Sequence, residues 1–153
     1  MKGDPPMKKT LLITLLCTLA LTLCACGGNT EETDANPSAS GGQINVTVQN
    51  EDSALYTEED IDAAAETVIE YFGQNFDGCT LTKLGYPGDD EAAFRDWADQ
   101  YGADEAIVLT SEFDVDETGG DGSLEANSTY TDWQWVLVRT AGGDWEHATH
   151  GYA

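Results

Sequence analysis

The chain has 153 residues, of which 29 are acidic and only six are lysine or arginine, so its formal charge is −23. A charge of this sign and size repels nucleic-acid phosphates and anionic membrane surfaces, which argues against a nucleic-acid partner. Three of the four cysteines lie within the first 26 residues. A disulfide framework is therefore not expected, and Cys79 is predicted to be a small buried side chain.

Residues 7–26 (MKKTLLITLLCTLALTLCAC) have the organisation of an export signal, with Lys8 and Lys9 before an apolar run and small residues near its end. The run of about 15 apolar residues is too short for a membrane-spanning helix, which needs roughly 20. Its last four residues, Leu-Cys-Ala-Cys, resemble a bacterial lipobox. That resemblance implies a lipoprotein signal peptide over residues 1–25 and a lipid-anchored Cys26 on the extracytoplasmic face of the cell membrane. The alternative is an ordinary cleaved signal peptide.

Residues 26–54 are predicted to be the lipidated cysteine followed by a flexible acidic linker, because Gly, Asn, Ser, Thr and acidic residues dominate there. The alternation over residues 43–49 leaves a second interpretation open, a short strand added to the edge of a sheet. After cleavage, the chain would keep 28 acidic residues but only three basic ones, Lys83, Arg95 and Arg139, so its formal charge would be −25.

Residues 55–153 are long enough for one domain with one core. Thr57-Glu58-Glu59-Asp60 resembles a capping box and predicts the start of a helix. Apolar residues then recur at helical spacing up to Phe76, so a helix of about 18 residues with one buried face is expected.

The remaining strands and the second helix are predicted from the spacing of apolar and polar residues, with glycine and proline marking their ends. The last two strands are predicted to form an antiparallel hairpin through the turn at residues 141–143. The predicted bounds are a strand over 79–86, a helix from 89 or 90 to 101, and strands over 105–115, 130–140 and 144–152.

This order of elements predicts an α+β fold, with a long N-terminal helix packed on a curved antiparallel sheet of about four strands. With the aromatic strand TDWQWVLVR at residues 131–139, it resembles the NTF2-like or cystatin-like domains of small bacterial lipoproteins of uncharacterised function. The resemblance implies a fold and a pocket between helix and sheet, but no particular activity.

The leading functional interpretation is a non-catalytic module that binds a small molecule or a protein of unknown identity. Trp133, Trp135, Trp145, His147 and Tyr130 are the candidate ligand-facing residues, because aromatic rings in a row form either a core or a stacking platform. The alternative is an enzyme of the NTF2-like type. Its candidate residues in the pocket are Glu112, Asp114, Tyr130, His147 and Tyr152.

The two histidines, His147 and His150, are three residues apart in the last predicted strand. Regular alternation would place their side chains on opposite faces, so the pair is predicted not to chelate one metal ion.

A third interpretation concerns the acidic, glycine-rich segment 114–125, whose spacing matches that of a calcium-binding loop. A plain glycine-rich connection between two strands is the alternative, because strands and not helices flank it. The candidate calcium ligands are Asp114, Asp116, Thr118, Gly120 and Glu125.

Overall fold

The computed structural model describes residues 41–120 and 122–152. The predicted signal peptide, the lipidation site Cys26 and the first part of the predicted linker lie outside the described residues. No helix in the described ranges is both long and apolar enough to cross a membrane. The elements are β1 (Gln43–Val48), α1 (Glu58–Asn75), β2 (Cys79–Gly85), α2 (Glu91–Tyr101), β3 (Glu105–Val115), β4 (Thr129–Arg139) and β5 (Glu146–Gly151).

Both helices begin and end where the sequence predicts. The Thr57 hydroxyl accepts a hydrogen bond from the backbone N–H of Asp60, and the Asp60 carboxylate accepts one from the backbone N–H of Thr57, which completes the capping box. The Asp90 side chain caps α2, and Gly102 ends it in the left-handed conformation with a φ of 66°.

The five strands form a single sheet in the order β1-β2-β3-β4-β5. Strand β1 pairs with β2 in the parallel direction, whereas the other three pairings are antiparallel. The predicted β4–β5 hairpin is confirmed. For residues 43–49, the structure shows the edge-strand interpretation, since β1 extends the sheet beyond β2.

The predicted architecture of a long N-terminal helix on an antiparallel sheet of about four strands is wrong. The sheet has five strands and is mixed, there are two helices, and a strand precedes α1 in the described part of the chain. The physical reason is that residues 43–48, in which apolar and polar residues alternate, find backbone hydrogen-bond partners on β2. The resemblance to NTF2-like or cystatin-like domains rested on the order of the elements and on the aromatic strand at residues 131–139, and the observed order includes the additional strand β1.

The core lies between α1 and one face of the sheet. The predicted stripe of α1 is buried, with Val68 and Phe72 completely inaccessible to solvent. Phe72 makes edge-on ring contacts with Phe113 of β3 and Trp135 of β4. Cys79 is also buried, as predicted.

Arg139 joins the start of α1 to the sheet at the end of the core opposite Phe76. Its guanidinium lies 2.6 Å from the Asp60 carboxylate, bonds Glu105 of β3, and covers the ring of Trp145 at 4.2 Å. The side chain of Arg139 is only 14% exposed, so these partners hold a charge that is largely removed from water.

The hydrogen bond from the Thr57 hydroxyl, followed by the one from Arg139, lowers the pKa of Asp60 to about 2. The unfolded chain binds this proton near pH 4, so the stabilisation by the Asp60 carboxylate is present above about pH 4 and is lost as the pH falls towards 2. We expect the free energy of unfolding of Asp60→Asn to change less with pH over this range than that of the wild type. Chemical unfolding at pH 2 to 5 measures the effect, and Thr57→Val should flatten the profile in part. Identical slopes for Asp60→Asn and the wild type would contradict the prediction.

Candidate functional site

An irregularity in β5 brings the two histidines to the same face of the sheet. Trp135 pairs with His150 and Leu137 pairs with His147, although the register shifts by one residue at Ala148 between them. The extra residue is a β-bulge, which re-aims the side chains that follow it. The imidazole nitrogens His150 Nδ1 and His147 Nε2 are 2.9 Å apart. The prediction that the two side chains lie on opposite faces is therefore wrong.

A second bulge in β4 acts in the same way. Ser111 pairs with Trp133 and Phe113 pairs with Tyr130, so β4 contributes one residue more than β3 between these pairs. Asp132, in the bulge, has a φ of 56°, a left-handed conformation. Tyr130 and Trp133 consequently share a face despite their spacing of three, and their rings meet edge to face at 5.5 Å.

The C-terminal half of α1 supplies the opposite wall. The ring of Tyr71 stacks on the imidazole of His147 with centroids 3.8 Å apart. Phe76, at the helix C-cap, contacts His150 edge to face at 5.3 Å. Aromatic and imidazole rings from α1, β4 and β5 therefore gather at one end of the core. We call this group of rings the aromatic end, and its members are Tyr71, Phe76, Tyr130, Trp133, Trp135, His147 and His150.

A cavity of about 330 Å³ opens beside the aromatic end. Proteins commonly bind small molecules in pockets of about 300–1,000 Å³ with mainly aromatic walls and a few polar groups. The pocket is lined by Tyr71, Asn75, Phe76, Asp77, Cys79, Gly120, Ser123, Leu124, Trp133 and His150.

The β3–β4 connection forms one side of the pocket and is tied to the turn after α1. The backbone N–H of Asp116 donates to the carbonyl of Gly78, and that of Asn127 donates to the carbonyl of Asp116. Gly120 lies so close to this turn that an added Cβ would be 3.3 Å from the carbonyl of Asp77. The pocket is thus bounded by segments that are hydrogen-bonded to one another.

Trp133 has the one buried side-chain nitrogen or oxygen in the described residues that lacks a hydrogen-bond partner, its indole Nε1. By contrast, the indole of Trp135 donates to the Ser111 hydroxyl at 2.8 Å, and that of Trp145 donates to the carbonyl of Asp60 at 2.9 Å. A buried donor without a partner costs about 1–3 kcal/mol. Trp133 also lines the pocket, so a ligand whose acceptor uncovers and reaches this buried nitrogen would remove this cost.

The histidine pair is neutral at physiological pH. Burial, followed by the facing His150, lowers the pKa of His147 to about 4. Burial also lowers the pKa of His150. In a neutral pair, one of the two facing nitrogens carries a hydrogen and the other accepts it.

The structure brings together four of the five residues that the sequence predicts to face a ligand. Tyr130, Trp133, Trp135 and His147 all belong to the aromatic end, although only Trp133 of these four lines the pocket itself. Trp145 packs instead at the other end of α1, against Tyr56 and Arg139.

Of the residues proposed for an enzymatic pocket, the two carboxylates do not join the aromatic residues. Glu112 forms an ion pair with Lys83 at 2.8 Å, and Asp114 accepts a hydrogen bond from the Thr129 hydroxyl. Tyr152 is 62% exposed and stacks on Tyr130. The two carboxylates therefore interact with other residues and not with His147, their expected partner in an enzymatic pocket.

In the predicted calcium loop, the Asp116 carboxylate accepts hydrogen bonds from the backbone N–H and hydroxyl of Thr118. These bonds lower the pKa of Asp116. Within the described ranges, no group of three or more His, Cys, Asp or Glu side chains is arranged to hold a metal ion. Calcium binding by Asp114, Asp116, Thr118, Gly120 and Glu125 stays a prediction.

Two further pocket residues, Tyr71 and Leu124, are not predicted by the sequence pattern. Tyr71 lies beside the buried stripe of α1, so helical spacing alone does not separate it from an ordinary boundary residue. Leu124 is the one large apolar residue of a polar loop, and this is the signal that the sequence offers for it.

Neither a known protein family, nor a curated protein, nor a solved structure matches this chain.

Proposed function

We propose that the mature protein is a lipid-anchored, extracytoplasmic, non-catalytic binding protein whose folded domain takes a small ligand in the pocket of the aromatic end. The binding part rests on one observation, the unpartnered indole N–H of Trp133 beside a cavity of ligand size. The anchoring part rests on the lipobox-like residues 23–26. Two or three acyl chains on Cys26 would give a firm anchor, whereas one chain is marginal.

The chemistry of the walls limits the ligand. Tyr71 and Trp133 offer ring faces, which favour a flat ring or another apolar surface. The indole of Trp133 needs a hydrogen-bond acceptor. The ligand class that meets both requirements is a small ring compound that carries a carbonyl group, and its uncharged form avoids the repulsion that a strongly acidic protein exerts on anions.

Nuclear magnetic resonance of the mature chain with Cys26→Ser tests the binding part. A set of aromatic carboxamides and lactams is added, and the four indole N–H signals are followed separately, with Trp133→Phe used to assign the signal of Trp133. We expect binding compounds to shift the Trp133 signal downfield. Because a hydrogen bond contributes about 1 kcal/mol net, Trp133→Phe should weaken binding about three- to tenfold.

The matched control is Trp97→Phe, which changes a partly buried tryptophan of α2 that does not line the pocket. This variant should bind the same compounds with unchanged affinity. The binding proposal fails if no compound binds, or if the bound compounds shift the signal of Trp97 or Trp145 in place of Trp133.

The anchoring part has its own test in cells. The wild-type chain should partition with the membrane fraction and yield an acylated N-terminal cysteine by mass spectrometry. Cys26→Ser should abolish the modification. An unmodified residue 26 in the native protein would refute lipid anchoring without affecting the pocket.

A further inference from the structure

One nitrogen of each ring in the histidine pair faces the other across a hydrogen, and a chelated metal ion would lie between the same two nitrogens. His147 Nε2 and His150 Nδ1 face each other at 2.9 Å. Two imidazole nitrogens bound to one tetrahedral Zn²⁺ at about 2.0–2.1 Å are about 3.4 Å apart. To admit the ion, the two nitrogens would need to separate by about 0.5 Å, and the rings would need to turn so that both lone pairs point at the ion.

The pair is held in place by its surroundings. Tyr71 stacks on His147, and the ring of Trp135 lies 5.0 Å from that of His150. The bulge at Ala148 fixes both side chains on the same face. A chelating pair that is positioned before the ion arrives loses less conformational entropy on binding.

We propose that His147 and His150 form a binding site for a late first-row divalent metal ion, Zn²⁺ or Cu²⁺. Imidazole is a preferred ligand of both ions, whereas Ca²⁺ and Mg²⁺ prefer oxygen. When the ion enters, the hydrogen between the two facing nitrogens moves to the far nitrogen of its own ring, so both imidazoles bind as neutral ligands and the pair releases no proton. The high negative charge of the chain raises the local concentration of any cation.

The site has two protein ligands, because no third His, Cys, Asp or Glu side chain in the described ranges joins them. The remaining coordination positions are taken by water or by a small molecule. His150 also lines the pocket, so these open positions lie beside the proposed ligand site. This metal site is independent of the proposed function, since a ligand can bind in the pocket without a metal ion.

Calorimetric titration of Zn²⁺ into the mature chain with Cys26→Ser, purified without a histidine tag, tests the proposal. We expect one ion per chain. His147→Gln and His150→Gln should each weaken binding at least about tenfold, because each removes one of two ligands. The matched control is Asp116→Asn in the acidic loop, which should leave the Zn²⁺ affinity unchanged.

A second measurement on the wild-type chain covers the case in which a histidine variant fails to fold. Substoichiometric Cu²⁺ is paramagnetic and should broaden the resonances of Tyr71, Trp135 and His150 before those of Thr57 and Asp90 at the helix starts. The proposal is overturned if Zn²⁺ does not bind, if Asp116→Asn abolishes binding, or if Cu²⁺ broadens the acidic loop first.

Discussion

Trp135→Ala is expected to lower the free energy of unfolding by about 3–5 kcal/mol, the range for removing a large aromatic side chain from a core. Trp135 is completely buried and lies 5.3 Å from the ring of Phe76. Its loss would also leave the buried hydroxyl of Ser111 without the indole that donates to it. The cavity would open directly beneath the aromatic end.

Denaturant unfolding followed by circular dichroism measures this effect without depending on tryptophan fluorescence. Tyr101→Ala is the control, because Tyr101 is 41% exposed at the end of α2. Its effect should stay below about 1 kcal/mol. If Trp135→Ala costs no more than this control, Trp135 does not occupy the core position described above.

Gly85→Ala is expected to destabilise the fold by at least about 2 kcal/mol, since overpacking a close contact typically costs 1–3 kcal/mol and backbone yields less easily than side chains. A Cβ at Gly85 would lie 1.8 Å from the carbonyl oxygen of Gln49. Gln49 also donates its backbone N–H to the carbonyl of Leu84 at 3.0 Å. The chain just after β1 would have to move away from β2, and the parallel edge of the sheet would be weakened.

The same substitution at Gly73 provides a control with the opposite sign. Gly73 lies inside α1, and a Cβ there meets nothing within 4 Å. Alanine in a helix interior is more favourable than glycine by roughly 0.5–1 kcal/mol, so Gly73→Ala should raise the stability. Hydrogen exchange should show faster exchange of the Gln49 amide in Gly85→Ala only. Equal stabilities of the two variants would contradict the packing of residue 49 against β2.

Both bulges place side chains on faces of the sheet where regular strands would not place them. Without the extra residue at Ala148, His147 and His150 would point to opposite faces, and without the bulge at Asp132 the rings of Tyr130 and Trp133 would separate. A bulge costs ladder hydrogen bonds, and such irregularities concentrate next to functional sites. Their position around one pocket supports the assignment of a binding role to this end of the domain.

The sequence by itself determined the local elements of this protein. The capping box at Thr57, the cap at Asp90 and the glycine at position 102 set the helix ends, because each satisfies backbone groups within a few residues along the chain. The apolar stripe of α1 fixed which of its residues are buried, since burial follows the period of the helix. In β3 and β4 the alternation did so only in part, because Val108 and Val136 on the other face are buried as well. The predicted export signal likewise depends on contiguous residues alone.

Only the tertiary structure decided how the sheet is completed and where the site lies. The parallel pairing of β1 depends on backbone partners more than 30 residues away in β2, and the alternation of its sequence indicates a strand but not which strand it pairs with. The bulges depend on the register between neighbouring strands, which no single strand encodes. The contact of Tyr71 with His147 joins residues from α1 and β5. Interactions of this kind form through space, so the pocket and the histidine pair emerge only when the chain is folded.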